Sequence, residues 1–258
     1  MPSKCDTTVL SDDDEKRLKS RTYLSYDGGV IRVSDYDIYR LRVNAWCSDN
    51  VMMLALRLRY DSLPTDKKEK MVLFDGQMYE LLVNKGAANI WSSERSRQLN
   101  LFTKEFVLLP IFADSHFSMV AVVRPYLLVP GAANPHADLP CLLCMDSLRY
   151  HDMNTICSNL RGFLKEEWRR VYPDVPCTMI DGKSLPTVNA SVPKQSNILD
   201  CAIYTYFFGT FARPCCVFPT FFFSQTISLP SIFVLSSRRC ARYGSFSPVP
   251  CGNDYFKV

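Results

Sequence analysis

Three apolar runs in the middle of the chain set the tightest limit on its architecture. Residues 106–111, 116–123 and 141–145 are each nearly unbroken stretches of apolar side chains, and the second is rich in valine. A strand with one wet face alternates apolar and polar residues; a run without alternation suits a strand buried on both faces. Such a sheet needs helices over it, and the sequence offers them. Residues 154–170 place Ile156, Leu160, Phe163, Leu164 and Trp168 at helical spacing opposite a charged face. Residues 51–58 are mostly good helix formers, with Ser48 or Asp49 as cap, and residues 35–41 read as a short helix capped by Ser34 or Asp35. Residues 71–82 suggest a strand entering a helix, 177–180 a short fourth strand, and 64–70 a charged loop. Pro125, Pro130, Gly131, Pro135 and Pro140 make 124–140 a long loop. The expected class is α+β, a mixed central sheet flanked by helices.

A length of 258 residues suits one large domain or two small ones. Residues 1–30, with the acidic run from Asp12 to Glu15, read as a mobile arm; 31–213 as the folded domain; 214–258 as a divergent or irregular tail. Within that tail, 215–235 carry no charge. The length would suit a membrane span, but Pro219, Pro230, Gln225 and interspersed hydroxyl residues oppose one, and an irregular tail is the alternative. Hydrophobic residues at 47% and charged residues at 22% exclude a mostly disordered chain, and a net charge of +4 is too weak to imply nucleic acid.

Eleven cysteines raise the questions of disulfides and zinc. The first nineteen residues are polar and acidic and lack a secretory pattern, so reduced thiols are expected. Cys141 and Cys144 have C-x-x-C spacing, but two leucines fill it and apolar residues flank it; only three histidines are present. No metal and no cofactor is expected.

One segment carries chemistry. A polar loop, residues 192–200, leads into Cys201, and the apolar run 202–208 follows. If that run is a helix, Cys201 sits in its first turn, where unpaired N–H groups and the helix dipole favour a thiolate. A thiol hydrolase also needs an imidazole base, a group to orient it and an oxyanion donor. His116 opens one apolar strand, Asp146 ends another, and Gln195 lies just before the cysteine. Taken singly, each has a plainer reading: a satisfied histidine, a surface carboxylate, a cysteine in a core.

The ordered set is more specific. His116-Phe117-Ser118, then Asp146-Ser147, then Gln195-Ser196-Asn197-Ile198-Leu199-Asp200-Cys201 resembles the Ulp/SENP family of SUMO-specific cysteine proteases. That family has a His and an aromatic on one strand, Asp-Ser ending the next, and Q-x-N-x-x-D-C-G at a helix start. Trp46 to Val51 looks like its W-L-N-D segment, and the stretch 99–110 like the one before its histidine strand. The Asp146-Ser147-Leu148-Arg149 start, the helix around Trp168 and the long loop between the His and Asp strands are closest to the branch that trims poly-SUMO chains.

The resemblance implies a papain-like fold of the Ulp/adenain type and a role for each residue. Cys201 would be the nucleophile, His116 the base and then the acid, Asp146 its orienting carboxylate, and Gln195 the side-chain oxyanion donor. Trp46 and Phe117 would flank the narrow tunnel for the glycine tail of SUMO. SUMO and SUMO-conjugated proteins are then the expected partners, the protein a monomer without nucleic-acid or membrane partners, and the compartment the nucleus or cytoplasm. Three features depart from the family: Phe117 replaces a Trp, Ala202 replaces a Gly, and beyond Phe211 the pattern of closing helices is lost. Two other readings stay open on these grounds, an inactive relative that binds SUMO and a protease for another modifier such as Nedd8.

Overall fold

The computed structural model describes residues 20–24, 30–41, 45–90, 99–134, 139–177 and 180–211. They fall into two compact units: Ser62–Lys194, and the residues up to Asp61 together with those from Gln195 onward.

The unit Ser62–Lys194 is built on a five-stranded sheet. In spatial order its strands are β3 (Met71–Leu73), β4 (Phe106–Ala113), β5 (His116–Val123), β6 (Cys141–Met145) and β7 (Thr187–Asn189). The β4–β5 and β5–β6 pairs are antiparallel, while β3–β4 and β6–β7 are parallel, so the sheet is mixed as expected. The three apolar runs are its three central strands, and every residue of β5 is buried. One face carries Val107, Leu109, Ile111, Val120, Val122, Leu142 and Cys144. These pack with the apolar stripe of helix α5 (Met153–Val171), namely Ile156, Cys157, Leu160, Phe163, Leu164 and Trp168, and with Met78, Tyr79 and Leu82 of helix α4 (Met78–Lys85). Burying a side chain of this size is worth about 1.5–3 kcal/mol, so the seam between α5 and the sheet is a main source of stability. Asp152 caps α5, its carboxylate accepting from the backbone N–H groups of Asn154 and Thr155.

The turn joining β4 to β5 fixes the register of that strand pair. Asp114 and Ser115 both have positive φ, 48° and 59°, and Ala113 pairs with His116 across them. This is a two-residue hairpin of the kind whose twist matches that of the strands, and it sets His116 as the first residue of β5.

The other unit has a hairpin of β1 (Ser20–Leu24) and β2 (Val30–Ser34), helices α1 (Asp35–Arg40) and α2 (Asp49–Asp61), and helix α6 (Cys201–Phe211). The Ser34 hydroxyl accepts from the Asp37 N–H, and the Asp37 carboxylate accepts from the Ser34 N–H, a complete capping box for α1. Ser48 starts α2 in a similar way, accepting from the Val51 N–H. Helix α2 packs against both β2 and α6.

Three sequence expectations need correction. Residues 64–70 are not all loop, since Thr65–Glu69 form the short helix α3; Asp66 in its first turn and Lys67 and Lys68 in its last complement the helix dipole. At its two described ends the run 177–180 is not in a strand: Cys177 and Ile180 are irregular, residues 178–179 lie outside the described set, and Ile180 is a buried anchor of the core. The edge place goes to β7, which has no apolar run and is held by its ladder to β6, flanked by bonds from Leu142 N–H to the Pro186 carbonyl and from Ala190 N–H to the Cys144 carbonyl. Finally, the arm expected over 1–30 contains β1. That strand is retained by its ladder to β2, whose Ile31 and Val33 are buried, and by the Tyr23 hydroxyl donating to Asp61 at 2.6 Å. Residues 1–19 and the tail 214–258, with its uncharged stretch, lie outside the described residues. No helix among the described residues is long and apolar enough to cross a membrane.

Candidate active site

In the unit Ser62–Lys194, His116 and Asp146 come together. His116 opens β5, and Asp146 follows the last residue of the neighbouring strand β6. The His116 Nε2 lies 2.7 Å from Asp146 Oδ1, and both side chains are buried. The loop after Asp146 folds back over its carboxylate: Leu148 N–H donates to Oδ1 at 2.9 Å, and Tyr150 and His151 N–H donate to Oδ2 at 2.9 and 3.0 Å. Arg149 takes a positive φ of 54° within this loop, which lets successive N–H groups converge on one point. Burial alone would push the Asp146 carboxyl up. The bonds from His116, His151 and Leu148 outweigh that and hold it below the ordinary carboxylate range, so it is a fixed anion at neutral pH.

His151 completes this cluster, and nothing in the sequence reading assigned it a role. Its ring lies against that of His116, centroids 4.8 Å apart. The Ser118 hydroxyl lies 2.7 Å from its Nδ1, and its Nε2 lies 3.0 Å from the Ala113 carbonyl. A carbonyl can only accept, so Nε2 carries the proton and Nδ1 accepts from Ser118. Burial lowers the pKa of His151, keeping it neutral beside the His116–Asp146 pair. The only available signal was its position, five residues beyond Asp146. The ligand-type atoms of His116, Asp146 and His151 lie within 4.8 Å of one another. Hydrogen bonds already engage His116 Nε2 and both ring nitrogens of His151, which makes the cluster a poor seat for a metal.

In the other unit, Cys201 is the first residue of α6, as the sequence pattern predicts, and it is buried. The loop before it is organised by Asn197. Its Oδ1 accepts from the N–H groups of Leu199 and Asp200, and its Nδ2 donates to Asp200 Oδ2 at 2.7 Å. The Asp200 carbonyl takes the first helical bonds, from Ile203 and Tyr204. Gln195 is buried in the same loop and donates through Nε2 to the Asn197 carbonyl at 2.5 Å. Trp46, ahead of α2, is 39% exposed. Phe117 lies in the Ser62–Lys194 unit, buried, its ring tilted against that of Phe112 with centroids 4.6 Å apart, its side chain alternating to the sheet face opposite His116.

Known proteins match this chain across most of its described length. Residues 45–212, more than half of the chain, match the model of the Ulp1 protease family, C-terminal catalytic domain. Two Arabidopsis thaliana relatives are similar: probable ubiquitin-like-specific protease 2A, 20% identical over 69% of this chain and 24% of its own length, and ubiquitin-like-specific protease 1C, 32% identical over 42% and 19%. The chain thus spans about a quarter or less of the length of these relatives. Among solved structures, a de-sumoylating protease superposes with TM-score 0.58 at 19% identity, over 74% of this chain and 73% of that one. The C-terminal Ulp1 protease domain in complex with Smt3, the yeast ortholog of SUMO, gives 0.54 at 16% identity, over 79% and 84%. At these identities the superpositions establish a shared fold, an α+β protease fold of the Ulp1 type.

Proposed function

Since this chain belongs to the Ulp1 protease family, we propose that it is a cysteine protease that releases SUMO from lysine side chains of modified proteins. The observation that carries this reading is the buried His116–Asp146 pair, its carboxylate held by three backbone N–H groups. A carboxylate caged in this way orients an imidazole and stabilises the imidazolium that forms. With Nε2 turned to Asp146, Nδ1 is the ring nitrogen that exchanges a proton with the nucleophile.

In the proposed reaction Cys201 gives its proton to His116 and attacks the carbonyl of the last glycine of SUMO. The developing oxyanion accepts from the Cys201 N–H and from the Gln195 carboxamide. His116 then protonates the departing lysine amine, and a water molecule releases SUMO from the thioester with His116 acting again as base. Trp46 and Phe117 flank the glycine tail, which is thin enough for a narrow passage because it lacks β-carbons.

The preferred substrate within this reading is a poly-SUMO chain, supported by Asp146-Ser147-Leu148-Arg149 and the long loop between β5 and β6. The nucleus is the proposed compartment, and the protein acts as a monomer without metal. A SUMO probe with an electrophilic C-terminus tests the reading. Covalent labelling that maps to Cys201 and disappears in Cys201→Ala is the expected result. SUMO binding without labelling would show an inactive relative, and labelling by a Nedd8 probe alone would reassign the modifier.

A further inference from the structure

A second pair of reactive side chains lies beneath the same strand end. The Sγ atoms of Cys144 in β6 and Cys157 in α5 are 3.3 Å apart, and both residues are buried as free thiols. The surroundings of Cys157 are built for charge. The Arg161 guanidinium donates to the Thr187 hydroxyl at 2.7 Å and to the Leu185 carbonyl at 2.9 Å, and its charge lies near Cys157. A cation near a sulfur stabilises a thiolate at that sulfur. Bonding to Cys144 and the nearby Arg161 lower the Cys157 thiol, while the bond to Cys157 and burial raise Cys144. A cavity of about 490 Å³, lined by Cys144 with Asp146, Arg149, His151, Asn154 and Asn189, opens on the Cys144 side of the pair, one sulfur away from Cys157.

We propose that Cys144 and Cys157 form a peroxide-sensitive dithiol that closes to an intramolecular disulfide, joining β6 to α5. The Cys157 thiolate attacks a peroxide oxygen; an S–O bond forms, the O–O bond breaks, and the leaving hydroxide takes a proton to become water. The Cys144 sulfur then attacks the Cys157 sulfenic acid. The S–S bond forms, the S–O bond breaks, and hydroxide leaves with the Cys144 proton as a second water. Two thiols are oxidised by two electrons and one peroxide is reduced to two waters. In a reducing compartment the pair stays open. This site is independent of Cys201 and of the protease reading.

The test is oxidation of the full chain with hydrogen peroxide at neutral pH, alkylation, and tryptic mapping without reduction. The peptide Tyr150–Arg161 contains Cys157 as its only cysteine. It is expected to appear linked to Cys144, assigned by fragmentation, and to separate on treatment with dithiothreitol. The linked protein should melt a few degrees higher than the reduced form. Cys144→Ser should abolish the linkage while leaving Cys157 oxidisable. Recovery of Cys144 and Cys157 fully alkylated while other cysteines oxidise would overturn the proposal. So would Cys157 linked to Cys141, or Cys157 recovered only as sulfinic acid.

Discussion

The loop after Asp146 and the loop before Cys201 both order a buried aspartate, and they do it by opposite means. Around Asp146 the donors are backbone N–H groups of Leu148, Tyr150 and His151, with His116 as the one side-chain partner. Around Asp200 the organiser is a side chain, the Asn197 carboxamide, which accepts two backbone N–H bonds and donates to the carboxylate. A backbone cage consists only of donors, so it selects a charged acceptor and holds it as an anion. A carboxamide both donates and accepts, so it can brace a turn without demanding charge. The first loop is suited to an electrostatic role beside His116, the second to fixing where helix α6 begins.

This contrast can be broken at four points. Cys201→Ala leaves both loops intact and removes only the sulfur. Hydrolysis of a fluorogenic SUMO substrate should fall to background while the melting temperature stays near that of the parent; retained activity would refute the proposed mechanism.

Asp146→Asn comes next, with an expected loss in kcat/KM of about 10²–10⁴-fold, because an amide NH₂ cannot accept from the caging N–H groups and does not stabilise an imidazolium. The same substitution should change acid stability. The folded-state pKa of Asp146 is depressed, so its contribution is complete above the ordinary carboxylate value and is lost as pH falls below it. Denaturant titrations at pH 6 and pH 3 should show the parent losing more stability than the variant over that interval.

Asn197→Ala should act mainly on the second loop. Leu199 and Asp200 N–H groups lose their acceptor, at a cost of about 1–3 kcal/mol. Loosening of the α6 start should slow probe labelling of Cys201 more than it changes the affinity for SUMO. A variant as stable and as reactive as the parent would show that Asn197 does not brace the loop.

The smallest effect is expected at His151. Its folded-state pKa is lowered, so its stabilising contribution is full above about pH 6.5 and declines as pH falls through that value toward the folded pKa. His151→Gln removes this titration. The pH dependence of stability between about pH 7 and 5 should flatten by about 1 kcal/mol or less. An unchanged slope would mean that His151 titrates normally in the folded state.

Periodicity and residue type alone determined a good deal of this protein. The central strands β4, β5 and β6 were legible because burial on both faces leaves unbroken apolar runs. Helix α5 was legible because its stripe repeats at helical spacing. Caps at Ser34 and Ser48 follow from local hydrogen-bonding chemistry, and so does a helix starting at Cys201. What lacked a local signature was decided by tertiary structure. Strand β7 has no apolar pattern and exists because β6 offers it an edge; β1 is retained by β2 and Asp61; α3 had only its charges to mark it. The same holds at the site. His116 and Asp146 stood out as candidates, but the Asp114–Ser115 turn and the β5–β6 pairing set the 2.7 Å between them. The caging N–H groups belong to backbone atoms that any residue carries, and His151 and the Cys144–Cys157 pair gain their chemistry only from neighbours distant in sequence. A sequence names side chains; which polar groups face one another in a buried space depends on how the strands and helices close around it.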